Sequence, residues 1–166
     1  SYISGEIGHT ISNPDGQRCE CGKVGCLQTY ASEAWILKKA RVIYNAAPHS
    51  ALRSLAERPE DITLQTVLDA CQLGDTLVIR ELRDAVRFLS IAAANLAIIM
   101  GTEKLYLHSR IFQSDILRSE LKASIESQLT FVDKKYAEDV EILEYEPTRA
   151  AVGAAALAID RLFISR

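Results

Sequence analysis

The sequence predicts a single helix-rich α/β domain, and three observations carry that prediction. Apolar residues recur at spacings of three and four along much of the chain, the period of helices that bury one face. Two short apolar runs, about 104–108 and 140–143, have strand length and stand among helical patterns, as in an α/β fold. The chain has 166 residues, 48% hydrophobic and 25% charged, and a domain of that size buries roughly 70% of its unfolded surface. Other classes are excluded on the same arithmetic. With 4 Pro and 8 Gly it is neither collagen-like nor of low complexity. No apolar run approaches the roughly 18 residues of a membrane helix, and no internal repeat of fixed period is visible. The formal net charge is −3, from 19 Lys plus Arg against 22 Asp plus Glu, which argues against a nucleic-acid surface. The chain opens at Ser1 without Met or a secretory signal pattern, so the expectation is part of a longer protein.

The first element is a cysteine knuckle, residues 9–28. Three of the four cysteines, Cys19, Cys21 and Cys26, fall within eight positions. Cysteines separated by one residue on extended chain cannot meet disulfide geometry, which needs facing Cβ atoms. The spacing suits a metal instead, because Gly22 and Gly25 permit the turn that brings Cys26 back to the first pair. A closed Zn(II) site takes four ligands, and the nearest fourth candidate is His9, across a loop with its own turn signal, Asn13-Pro14-Asp15-Gly16. Reduced structural cysteines or a redox centre are the alternatives, and CxCGxxGC preceded by Gly-His favours zinc. Cys71 stands apart and reads as a small core residue. Unoxidised thiols beside a zinc site point to the cytoplasm.

The helical patterns follow in order. Ser32 and Glu33 open the first, which carries Trp35, Ile36, Leu37, Val42 and Ile43 and stops near Pro48. Its cluster of Lys38, Lys39 and Arg41 reads as a solvated face rather than a phosphate site. Residues 49–62 are polar and Pro-broken, a connection. A helix over about 63–73 puts Leu64, Val67, Leu68 and Cys71 on one side and ends at Gly74. Asp75 caps the longest pattern, about 75–100, with a stripe of Val78, Leu82, Val86, Leu89, Ala93, Leu96 and Met100. From Ile91 to Met100 it is apolar nearly all round, so this half is expected to cross the core. Gly101 ends it, the strand at 104–108 follows, then a helix over about 113–129 and the strand Val140-Glu141-Ile142-Leu143. Pro147 and Thr148 start a last helix rich in Ala150, Ala151, Gly153, Ala154, Ala155 and Ala156, whose small side chains permit close packing.

Gly5-Glu6-Ile7-Gly8-His9, followed by Cys19-x-Cys21-Gly22-x-x-Gly25-Cys26-Leu27, resembles the signature of the ROK family of repressors, open reading frames and sugar kinases. A looser likeness continues through the Asn95-Leu96 helix to the Gly153-Ala154-Ala155 helix, so it covers residues 1–166. The resemblance implies an actin-like, ribonuclease H-like two-lobed ATPase fold, with this chain as its C-terminal lobe and a structural Zn(2+) on His9, Cys19, Cys21 and Cys26. It also implies sugar contacts from Glu6, from the free ring nitrogen of His9, and from the second position after Cys26. That position is commonly Glu in the family and is Gln28 here, an amide with two donors where a carboxylate has none.

Two further departures concern the kinases of the family. Their Gly-rich turn after the long helix and strand is replaced by His108-Ser109-Arg110, where each Cβ would crowd a nucleotide. Their catalytic Asp and phosphate loop would lie in the other lobe, so no catalytic residue is assigned and an enzyme is the less favoured reading. The resemblance therefore implies the sugar-sensing half of a repressor, similar to regulators of N-acetylglucosamine and glucose-type sugars. DNA would be read by a helix-turn-helix outside this chain, with a homodimer or homotetramer as the assembly and no membrane partner. The C-terminal lobe of an ATP-dependent sugar kinase is the alternative, and a partner-binding remnant without sugar affinity is a third.

Overall fold

The computed structural model describes residues 6–101, 105–129, 140–143 and 148. The chain begins with a 3-10 turn, Ile7–His9, and a looped knuckle closed by two antiparallel bridges, Ile11 to Cys26 and Arg18 to Val24. A short helix α1 (Gln28–Ala31) leads into α2 (Glu33–Ala46), where the Ser32 hydroxyl caps the first turn by accepting from the Trp35 amide. Next come α3 (Leu52–Leu55), a 3-10 turn at Pro59–Asp61 and α4 (Leu64–Gln72). Thr63 and Thr66 form a reciprocal capping box at the start of α4. Helix α5 (Thr76–Met100) has 25 residues, about 37 Å at the helical rise. It ends on Gly101 in the left-handed region, φ 58°, a helix stop for which glycine has no steric cost. Strand β1 (Leu105–His108), a 3-10 turn (Arg110–Gln113), α6 (Asp115–Gln128) and β2 (Val140–Leu143) complete the described chain.

Among the described residues the sheet has two strands, β1 and β2, which run parallel from Leu105 opposite Val140 to His108 opposite Leu143. Parallel strands need a crossover, and α6 lies on it. The expectation of a helix-rich α/β fold with a few short strands holds. The core forms where α2, α4 and α6 pack on α5, with Ile36, Leu64, Val78, Leu82, Leu121 and Ile125 among its buried side chains. A buried polar seam joins α5 to α6. The Ser90 hydroxyl donates to the Arg87 carbonyl and accepts from Ser124 at 2.7 Å and from the Gln128 amide at 2.9 Å.

Several expectations need correction. The connection at 49–62 is no passive loop, since it contains α3 and sends Leu52, Ala56 and Ile62 into the core. Val42 lies on the outer face of α2 and is 62% exposed, because the buried row runs Ile36, Ala40, Ile43 and Tyr44. The last turns of α5 do not cross the core, with Ile99 at 79% and Met100 at 64% exposed. Burial along α5 follows the reach of α6, and its last buried residues are Ala93 and Ala94. Cys71 is only partly buried against the core. The basic cluster is a solvated face, as expected, at Lys38 and Arg41, but Lys39 is half-buried in an ion pair. Lys39 pairs with Glu81 at 2.9 Å, Lys38 lies over the Trp35 ring, and Arg41 donates to the Pro59 carbonyl. The expected last helix lies outside the described residues, apart from Thr148.

Candidate metal centre

The backbone of the knuckle explains why the cysteines converge. The Cys19 amide donates to the Lys23 carbonyl and the Gly22 amide to the Cys19 carbonyl, which closes a tight turn around Cys21. Gly25 has φ +72°, and its carbonyl accepts from the Ser12 and Asn13 amides. A Cβ on Gly25 would stand 1.5 Å from the Asn13 carbonyl oxygen, so the loop can pass here only on a bare backbone. The Leu27 amide donates to Thr10, which draws His9 alongside Cys26. The knuckle is then tied to the body. Asn13 donates to the Tyr30 hydroxyl at 2.9 Å, and the Tyr30 ring packs on Phe88 of α5 at 3.9 Å between centroids.

His9, Cys19, Cys21 and Cys26 each present one ligand atom, and these four atoms lie within 4.8 Å of one another. The Cys19 sulfur is 3.7 Å from His9 Nδ1, and the Cys21 and Cys26 sulfurs are 3.6 Å apart. Zn–S and Zn–N bonds of about 2.3 and 2.0 Å put neighbouring donors of a tetrahedron about 3.5–3.8 Å apart. The residues therefore fit a tetrahedral metal ion. Cys26 is fully buried. Burial, with hydrogen bonds from Cys21 and Cys19, pushes its thiol up to about 11. Cys21 is shifted the other way, first by the Lys23 backbone amide, against a smaller burial effect. Metal uptake at such a site releases thiol protons.

The second ring nitrogen of His9, Nε2, faces the Glu6 carboxylate at 3.9 Å. Both side chains reach solvent, His9 at 30% and Glu6 at 63% exposure, on an open groove that Ile7, Thr10, Ile11, Lys23 and Leu96 also line. Gln28 reaches the same cluster from the start of α1, with its amide nitrogen 3.2 Å from the Cys19 sulfur and 2.8 Å from Glu20 Oε1. All the residues singled out from the sequence thus gather at one place. Two were missed. Lys23 donates to the His9 carbonyl at 2.6 Å and Glu20 accepts from Gln28, and nothing in the spacing of either residue signals those contacts.

The family model described as ROK family matches residues 2–161. The chain belongs to the ROK family. Among its relatives is the DNA-binding transcriptional dual regulator NagC of Escherichia coli, 28% identical over 155 residues, 92% of this chain and 36% of that protein. Among solved structures, a ROK family transcriptional regulator homologous to the E. coli MLC protein superposes with a TM-score of 0.72 at 28% identity, over 91% of this chain and 37% of that one. A ROK family glucokinase from Streptomyces griseus, in complex with glucose and AMPPNP, also gives 0.72, at 23% identity over 93% of this chain and 51% of that one. The latter likeness shows the fold. The chain spans 26–39% of the length of three curated relatives, so it matches a part of them.

One feature of this ROK chain lies beyond β1. Ser109 is extended and caps the following 3-10 turn by accepting from the Ile111 amide, while Arg110 pairs with Glu33 of α2 at 2.8 Å. The turn is thus built from side chains and pinned to a neighbouring helix.

Proposed function

We propose that this chain is the sugar-sensing C-terminal domain of a ROK-type transcriptional regulator. In this reading it binds a sugar or amino sugar beside a structural Zn(2+) held by His9, Cys19, Cys21 and Cys26. The observation that carries the reading is the placement of one imidazole. His9 turns Nδ1 toward the sulfurs and Nε2 toward Glu6 on an open groove. A metal on one ring nitrogen fixes the tautomer and makes the other an oriented N–H donor. That donor and the Glu6 carboxylate grip neighbouring hydroxyls through charge-assisted hydrogen bonds, with the Gln28 carbonyl oxygen as a further acceptor. The metal holds the knuckle in shape and takes no part in bond-breaking.

Sugar binding shifts the balance between two arrangements of the whole regulator, to the extent that it prefers one of them. DNA contact then belongs to a segment outside this chain, and self-association to a dimer or tetramer in the cytoplasm completes the reading. The C-terminal lobe of a sugar kinase is the second reading, favoured by the likeness in fold to the glucokinase. Against it stands the Ser109–Arg110 turn, where Cβ atoms and the Arg110–Glu33 pair take the place of the bare backbone that a nucleotide approaches.

The experiment is thermal unfolding of the full-length protein with a panel of hexoses and amino sugars, for the parent and for Cys26→Ala. A sugar at 100 times its dissociation constant raises stability by about 2.7 kcal/mol. The expected result is bound zinc and a sugar-dependent shift in the parent, both lost in Cys26→Ala. Unchanged zinc content and melting temperature in that variant would sink the metal assignment. ATP-dependent phosphorylation of the stabilising sugar would hand the chain to the kinase reading.

A further inference from the structure

We propose that Gln28 is a positioning residue of the metal centre, whose amide donates one N–H to the Cys19 sulfur and the other to the Glu20 carboxylate. This rests on the metal reading above and goes beyond it, since it gives Gln28 a role that a carboxylate at the same position could not perform. Three observations support it. The amide nitrogen is 3.2 Å from Cys19 Sγ and 2.8 Å from Glu20 Oε1. A primary amide has two N–H donors, and both have an acceptor here. The reverse orientation would point the amide oxygen at a sulfur and a carboxylate, acceptor against acceptors, so only one rotamer of the amide makes hydrogen bonds.

The consequence is electrostatic as well as geometric. Three thiolates and a neutral imidazole on a divalent ion leave the centre with a net charge of −1, and Glu20 adds another negative charge beside Cys19. An N–H on the sulfur withdraws electron density from a ligand that carries that excess. A carboxylate at position 28 would instead bring a third negative group against the same sulfur and against Glu20. The amide also ties the two sides of the site together. Its nitrogen serves the metal ligand, while its carbonyl oxygen lies on the side of Gly8, next to His9.

The test uses the chain loaded with Co(II) under reducing conditions, in the parent and in Gln28→Glu and Gln28→Met. Met matches the length of Gln without donors or charge, so it separates loss of the N–H contact from added repulsion. The readouts are the thiolate-to-cobalt charge-transfer band and retention of metal against a chelator, with helix content by circular dichroism as the check on folding. In Gln28→Met the band is expected to move to lower energy, because a thiolate without its N–H donor gives up electrons more readily. Retention falls about 10-fold, the lower end for the loss of an outer partner. Gln28→Glu falls further, and helix content stays at the parental level in both. A band and a retention in Gln28→Met indistinguishable from the parent would overturn the proposal while leaving the metal reading intact. Absence of any thiolate charge-transfer band in the parent would overturn both.

Discussion

At the scale of single residues, the knuckle depends on a few positions where no alternative fits. Gly25 is the clearest. Its φ is +72°, and a Cβ there would meet the Asn13 carbonyl oxygen at 1.5 Å, so both backbone and space exclude a side chain. Gly25→Ala is therefore expected to cost at least about 2 kcal/mol from the left-handed backbone and the forced displacement of the loop. It should also lose bound metal, because the same loop presents Cys26. Parallel measurement of melting temperature and zinc content would check this, and a variant that keeps both would show that the loop has another way to pass. These residues are legible in the sequence because the chemistry imposes spacing. Thiolates that share an ion must return to one point, so CxCGxxGC with an upstream His predicts a cluster. The contacts of Gln28, Glu20 and Lys23 are harder to read. They arise from where α1 starts and how the loop turns, which the spacing of these residues does not encode.

Secondary-structure elements show the same division between local and long-range causes. Caps are readable because they act within one turn. Ser32 and Asp75 both start helices as predicted, α2 and α5. Asp75 does more than cap. Its carboxylate accepts from the Leu77 and Val78 amides of α5 and also from the Ser50 hydroxyl and the Ala51 amide, which join α5 to the segment leading into α3. Burial alone would raise this carboxyl, but the bonds from Ser50, Val78, Ala51 and Leu77 outweigh it and hold it below the ordinary aspartate value. Since its folded-state value lies below the unfolded one, the stabilisation is present above about pH 4 and is lost as pH falls through the lower folded value. Asp75→Ala is expected to cost about 1–2 kcal/mol at pH 7, the range for a lost N-cap, and the gap to the parent should close in acid. Denaturant titrations at pH 7 and pH 3 test this; a gap that persists unchanged at pH 3 would mean that shape rather than charge matters at this position. The far half of α5 departs from expectation for the opposite reason. Its composition is apolar all round, yet burial depends on a neighbour, and past Ala94 the described neighbours do not cover it.

Among the described residues, the proposed sugar site is one wall rather than an enclosure. Glu6 and His9 lie on an open groove, and the adjoining surface exposes Ile7, Ile11 and Ile99. A contiguous apolar surface beside polar ligands is characteristic of a face that meets another part of a protein, and the chain spans only 36% of NagC and 37% of the MLC homologue. Ligand sites usually bury about 70–90% of their ligand, which a groove of this openness cannot do from one side. Two hydroxyl contacts made in full view of water compete with solvent and contribute little net free energy. The 166-residue chain by itself is therefore expected to bind the effector sugar no better than about 1 mM, worth roughly 4 kcal/mol, while the full-length protein binds it at least about 100-fold more tightly. Calorimetry on both, with the sugar found by thermal unfolding, measures the difference. Equal affinities would mean that Glu6, His9 and the groove suffice, and that the apolar surface of α5 has no part in enclosing the ligand. A large gap that narrows on Ile99→Ser in the full-length protein, with the isolated chain unaffected, would assign that surface to the closure of the site.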